Sequence, residues 1–95
     1  MLQYRIAPQA INDMSEIWVY IAHDNPVAAD KMLDSFDDAF EMLRSLPDAG
    51  RIRDELSAGL RSYPVGNYLI FYRHWPDWLE IYRIIHGNKD LNVIF

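Results

Sequence analysis

Leu2-Gln3-Tyr4-Arg5-Ile6-Ala7 alternates with a period of two, which predicts a first strand over 2–7. Pro8 follows, a residue at home in a first helical turn, where its missing N–H leaves nothing unsatisfied. Ile11, Met14, Ile17, Trp18 and Ile21 then recur at helical spacing and predict one apolar stripe ending near His23-Asp24. Asn25-Pro26 reads as an N-cap followed by a proline at the first helical position, so a second helix begins at once. Its stripe is Ala29, Met32 or Leu33, Phe36, Phe40 and Leu43, with Leu46 at its end, before Pro47 and Gly50 stop it. Two amphipathic helices so closely joined form an antiparallel hairpin.

Asp48 to Ala58 is polar and without period, a loop with at most one short turn. Beyond it, β-branched and aromatic residues gather into three runs, 60–64, 68–73 and 79–86, punctuated by Gly66-Asn67 and His74-Trp75-Pro76-Asp77. Runs so tightly connected predict an antiparallel three-strand meander. The last run has two faces: Leu79, Ile81, Arg83, Ile85 and Glu80, Tyr82, Ile84, His86. The tail carries Leu91, Val93, Ile94 and Phe95, enough for a short helix or a cover over a sheet edge. The expected fold class is α+β: an N-terminal strand, a helical hairpin, then the meander, with the helices on one sheet face.

At 95 residues, one domain spanning the whole chain is expected. Cysteine is absent, which excludes disulfides and thiolate metal sites and suits a reducing cytosol. His23, His74 and His86 are too widely spaced, with no carboxylate pattern between them, to suggest a metal, and no cofactor motif is present. The longest stretch without a charged residue, Ser62 to Tyr72, is far short of a membrane span, and the opening residues lack an apolar signal core. These features predict a soluble, cytoplasmic protein.

The net charge of −5 is distributed unevenly. Residues 1–46 hold three basic side chains (Arg5, Lys31, Arg44) against eight acidic ones, while residues 47–95 hold six of each sign. Asp30, Asp34, Asp37, Asp38 and Glu41 read as a solvated helix face. Without a basic excess, a protein partner is expected rather than direct contact with nucleic acid.

Arginines inside the strand runs, Arg61, Arg73 and Arg83, must find solvent, a partner or a ligand. The simplest role for Arg83 is a salt bridge to an acidic helix residue or to Asp90; the alternative is an anion or partner contact on an open face. His86 at a strand end reads either as a hydrogen-bonded structural residue or as a proton-transfer group. Trp75 and Trp78, around a turn, suit either a partner anchor or packing over the sheet edge.

The stretch Gly-Leu-Arg-Ser-Tyr-Pro-Val-Gly-Asn-Tyr-Leu-Ile-Phe-Tyr-Arg (59–73), with Glu-Ile-Tyr-Arg-Ile-Ile-His-Gly-Asn-Lys-Asp (80–90), resembles the C-terminal half of the RelE/ParE superfamily of bacterial toxins, on the ParE side. Ala7-Pro8-Gln9-Ala10 followed by Asp13, Ile17, Trp18 and Tyr20 is similar to the family's opening strand and first helix. The resemblance implies that the first strand joins the sheet. It further implies a small toxin of a type II toxin–antitoxin system, held in a hetero-oligomer by a ParD-like antitoxin that folds on binding. The ParE branch acts on DNA gyrase and the RelE branch cleaves mRNA on the ribosome. Cleaving relatives carry an arginine early in the central strand and a histidine or tyrosine at the chain end, where this chain has Tyr68 and Asn92-Val93-Ile94-Phe95. The expected function is therefore non-catalytic gyrase binding, with Arg61, Arg73, Arg83, His86 and Lys89 as the target surface. The rivals are an mRNA endonuclease using Arg61, Arg73, Tyr82 and His86, and a non-toxic relative that only pairs with the antitoxin.

Overall fold

The structure, a computed structural model, describes residues 2–95. Strand β1 (Gln3–Ile6) leads into helices α1 (Pro8–Ala22) and α2 (Pro26–Ser45). Strands β2 (Arg51–Ile52), β3 (Leu60–Val65), β4 (Tyr68–His74) and β5 (Trp78–His86) follow, and a one-turn helix α3 (Leu91–Ile94) comes last. Asn25 caps α2 as expected, its side-chain oxygen accepting the Ala28 N–H at 3.1 Å. Gly66 turns β3 into β4 with φ 57°, the left-handed value that a II′ hairpin turn requires at its first central position.

The five strands form one sheet in the order β1-β5-β4-β3-β2. The meander is antiparallel, and β1 lies parallel to β5, with Gln3 opposite Trp78 and Ile6 opposite Ile81. The helical hairpin supplies the crossover that a parallel pair needs. Strand β2 corrects the expectation of a loop with at most one short turn over Asp48 to Ala58: Arg51 and Ile52 pair with Ser62 and Arg61 at the sheet edge. Two residues are too few to show a period.

The hairpin covers one face of the sheet. Ala10, Ile17, Phe36, Phe40 and Leu43 meet Tyr68, Ile70, Tyr72, Leu79, Ile81 and Ile84 in a closed core. The stripe of α1 is rotated from its expected position: Ile11 is 55% exposed, while Ala10 and Asp13 turn inward. Leu46, expected to extend the α2 stripe, is 60% exposed because the helix has already ended at Ser45. On the second face Leu60, Phe71 and Ile85 are covered by Leu91, Ile94 and Phe95, the Phe95 ring lying 4.7 Å from Phe71. The tail thus covers a sheet face, and β4, central and buried on both sides, accounts for the unbroken apolar run Tyr68-Leu69-Ile70-Phe71-Tyr72.

Tyr72 ties the connection after α2 to the core. Its hydroxyl donates to the Pro47 carbonyl at 2.7 Å and accepts from the Gly50 N–H at 2.8 Å. Burial pushes the phenol pKa up, against the opposing pull of the Gly50 amide and Arg61. A phenol whose folded pKa exceeds its unfolded value near 10 contributes stability that is intact below that pH and lost as pH rises through the folded pKa. Chemical denaturation should therefore show stability falling above about pH 10. Tyr4 and Tyr68, also raised mainly by burial, share in that slope. Tyr72→Phe should make it shallower and should cost about 1–3 kcal/mol at neutral pH, since a buried donor and acceptor lose their partner. An unchanged alkaline slope in this variant would contradict the assignment.

Candidate functional site

Strand β1 stops opposite Ile81, where Ala7 donates its N–H to the Ile81 carbonyl at 2.9 Å. The outer edge of β5 then runs on beyond its neighbour, and α1 swings across the gap. Asp13, on the inward face of α1 and only 8% exposed, closes that edge. Its Oδ2 accepts the Ile84 N–H at 2.9 Å and Arg83 Nε at 2.8 Å, while its Oδ1 accepts Arg83 Nη2 at 3.0 Å. The hydrogen bond and charge of Asp13 raise the Arg83 pKa despite the opposing effect of burial. The salt bridge from Arg83 to an acidic helix residue is thus present, and Asp13 is that residue.

A β-bulge makes this possible. Arg83 pairs with Phe71 and Ile81 with Tyr72, leaving Tyr82 as an extra residue on β5. Strict alternation would place Leu79, Ile81, Arg83 and Ile85 together. The bulge instead joins Leu79 and Ile81 to Ile84 in the helix-facing core and puts Ile85 on the second face. Both faces expected from the alternation are corrected by this single inserted residue.

Beyond the clamp an open groove of about 400 Å³ lies between α1 and the turn after β5. Asp13, Glu16, Ile17 and Tyr20 line it from α1, Tyr68 and Ile84 form its floor, and His86, Asn88, Lys89 and Ile94 close the far side. His86 stands edge-on to Tyr68 at 5.1 Å, and its Nδ1 accepts the Asn88 N–H at 3.1 Å. That nitrogen is already in use, holding the turn. Burial raises the Tyr68 phenol pKa, with Tyr20 adding to it, so the Tyr68 hydroxyl on the floor stays protonated at physiological pH.

Of the residues expected at a target surface, Arg83, His86 and Lys89 share this groove. Arg61 does not: it donates to the Gly50 carbonyl at 2.8 Å and pairs with Asp48 at 3.5 Å, holding the loop after α2. Arg73 lies on the second face, bound to Ser57 Oγ at 2.5 Å, 3.9 Å from Glu80 and over the Tyr82 ring at 4.8 Å. The four residues of the nuclease alternative therefore fall in three places, with only Arg73 and Tyr82 adjacent. Trp75 and Trp78 stack at 6.2 Å at the other end of β5, with Arg5 4.6 Å above Trp78. Among the described residues no group of three His, Asp or Glu could hold a metal, and no helix is long and apolar enough to cross a membrane.

Sequence reasoning missed Glu16 and the groove-lining role of Ile17, Tyr20 and Tyr68. A signal for Asp13 existed: it is an acid at helical spacing from Ala10 and Ile17, on a face otherwise apolar.

Residues 4–91 match the family model described as the ParE toxin of the type II toxin–antitoxin system parDE. The chain is 32% identical over 92 residues to Toxin ParE1 of Caulobacter vibrioides, covering 95% of this chain and 94% of the relative. It is 29% identical over 88 residues to Toxin RelE3 of the same organism, covering 92% and 96%. Among solved structures, a chain of the chromosomal ParDE toxin–antitoxin system from P. aeruginosa shares the fold, with a TM-score of 0.76 at 19% identity over 90% of this chain and 96% of that one. With the strand, helical hairpin and antiparallel sheet in place, these likenesses settle the membership: the chain belongs to the ParE toxin family of type II toxin–antitoxin systems.

Proposed function

We propose that this chain inhibits growth from the cytoplasm by binding DNA gyrase, and that a cognate antitoxin neutralises it by filling the groove between α1 and the end of β5. The convergence of Arg83, His86 and Lys89 on that groove carries the reading. The groove offers an apolar floor and, past Ile84, an outer edge of β5 on the side away from β4 with no strand beside it. Either an amphipathic helix or an added strand from a partner fits such a site. Gyrase and antitoxin then compete for one surface, and occupation by the second silences the first. Arg61 and Arg73 do not line the groove, so this reading does not use them. The scatter of Arg61, Arg73, Tyr82 and His86 favours binding over ribonuclease chemistry, which needs its acid, base and charge-stabilising groups around one phosphate.

Expression of the chain alone tests this. The expected result is impaired supercoiling by gyrase, or trapped cleavage complexes, with transcripts intact. Cut transcripts alongside normal gyrase activity would overturn it in favour of the endonuclease, and no growth defect at all would leave a non-toxic antitoxin-binding relative.

A further inference from the structure

Glu16 and Lys89 stand on opposite walls of the groove, one on α1 and one on the turn after β5. Both are exposed; Glu16 accepts a hydrogen bond from the Asn12 side-chain amide at 3.3 Å and adds its charge to the field on Arg83, but among the described residues neither Glu16 nor Lys89 makes an ion pair. Between them lies the floor of Tyr68 and Ile84, and Ile17, Tyr20 and Ile94 add apolar surface to the walls. The Asp13 carboxylate and Arg83 guanidinium are closed on each other and offer a partner no net charge. The two rim charges are the electrostatic handles that remain.

We propose that Glu16 and Lys89 select the antitoxin and fix the direction in which it lies. This rests on the reading that an antitoxin fills the groove. The segment accepted is amphipathic: apolar side chains against Tyr20 and Ile94, a lysine or arginine toward Glu16, and an aspartate or glutamate toward Lys89. Rim charges of this kind govern partner choice and encounter rate more than depth of binding. A segment laid in the opposite direction would bring acid to Glu16 and base to Lys89, and like charges in apposition reject it.

The test uses Glu16→Lys, Lys89→Glu and Tyr20→Ala, each measured for association with the antitoxin polypeptide encoded beside this chain, at low and high salt. Each charge reversal should slow association roughly tenfold at low salt, less at high salt, with the thermal midpoint unchanged. Reversing the facing charge on the antitoxin should restore the rate. If both reversals leave association unchanged while Tyr20→Ala weakens it, the role of the rim is overturned and the groove reading stands. If Tyr20→Ala also has no effect, the antitoxin lies elsewhere and both fall.

Discussion

Asp13→Ala should cost about 3 kcal/mol, the low end of the range for breaking a buried ion pair. The variant strips Arg83 of its two-pronged partner and leaves the Ile84 N–H without an acceptor. The low end applies because the Arg83 side chain keeps 24% of its exposure and regains some hydration. In a domain of this size such a loss lowers the thermal midpoint by roughly 12–24 °C. Asp13→Asn should cost less, since its amide oxygen still accepts one bond. The double variant Asp13→Leu with Arg83→Met should recover much of the loss, because it removes both charges together. A calorimetric scan of the four proteins decides the matter: an Asp13→Ala midpoint within a few degrees of the parent would mean that the clamp stabilises nothing. Arg83→Ala strands the Asp13 carboxylate in the same way, so any loss of toxicity in that variant is interpretable only beside its melting curve.

Phe36→Ala should be costlier still, about 3–5 kcal/mol, as for other buried phenylalanines cut to the β-carbon. Phe36 is fully buried and meets Tyr68 edge-on at 5.9 Å, and Tyr68 in turn supports His86. The cavity therefore opens directly beneath the floor of the groove. Phe36→Leu keeps most of the volume and should lose much less. Urea titration measures the difference. Partner binding by Phe36→Leu should survive with a weakened affinity, whereas equal stability for the alanine and leucine variants would show that the site collapses around the missing ring.

The elements that announce themselves locally were legible in the chain. The α2 stripe as far as Leu43, the Asn25 cap and the Gly66-Asn67 turn each depend on neighbours within a few residues, and each is found where the pattern placed it. Three features were not legible, for distinct reasons. The pairing of β1 with β5 is a choice between sheet edges, made by tertiary packing that no periodicity records. β2 is held by its partner β3 rather than by its own residues. The bulge at Tyr82 reverses the phase of β5 halfway along, so alternation read straight through assigns half the strand to the wrong face. That reversal also explains the partial reading of the site: Arg83 and His86 stood out as chemistry, but only the bulge and the end of β1 bring them beside Tyr20, Glu16 and Lys89.

The parallel pairing of β1 with β5 has a temporal consequence. Gln3 and Trp78 are joined although almost the whole chain separates them. At roughly 5–20 residues per second of synthesis, the first strand emerges and then waits several seconds for its only sheet neighbour. Until β5 arrives, the edge that Asp13 closes does not exist, and neither does the groove. A chain built this way cannot present the groove while it is being made, so no partner can occupy that site until β5 has been synthesised.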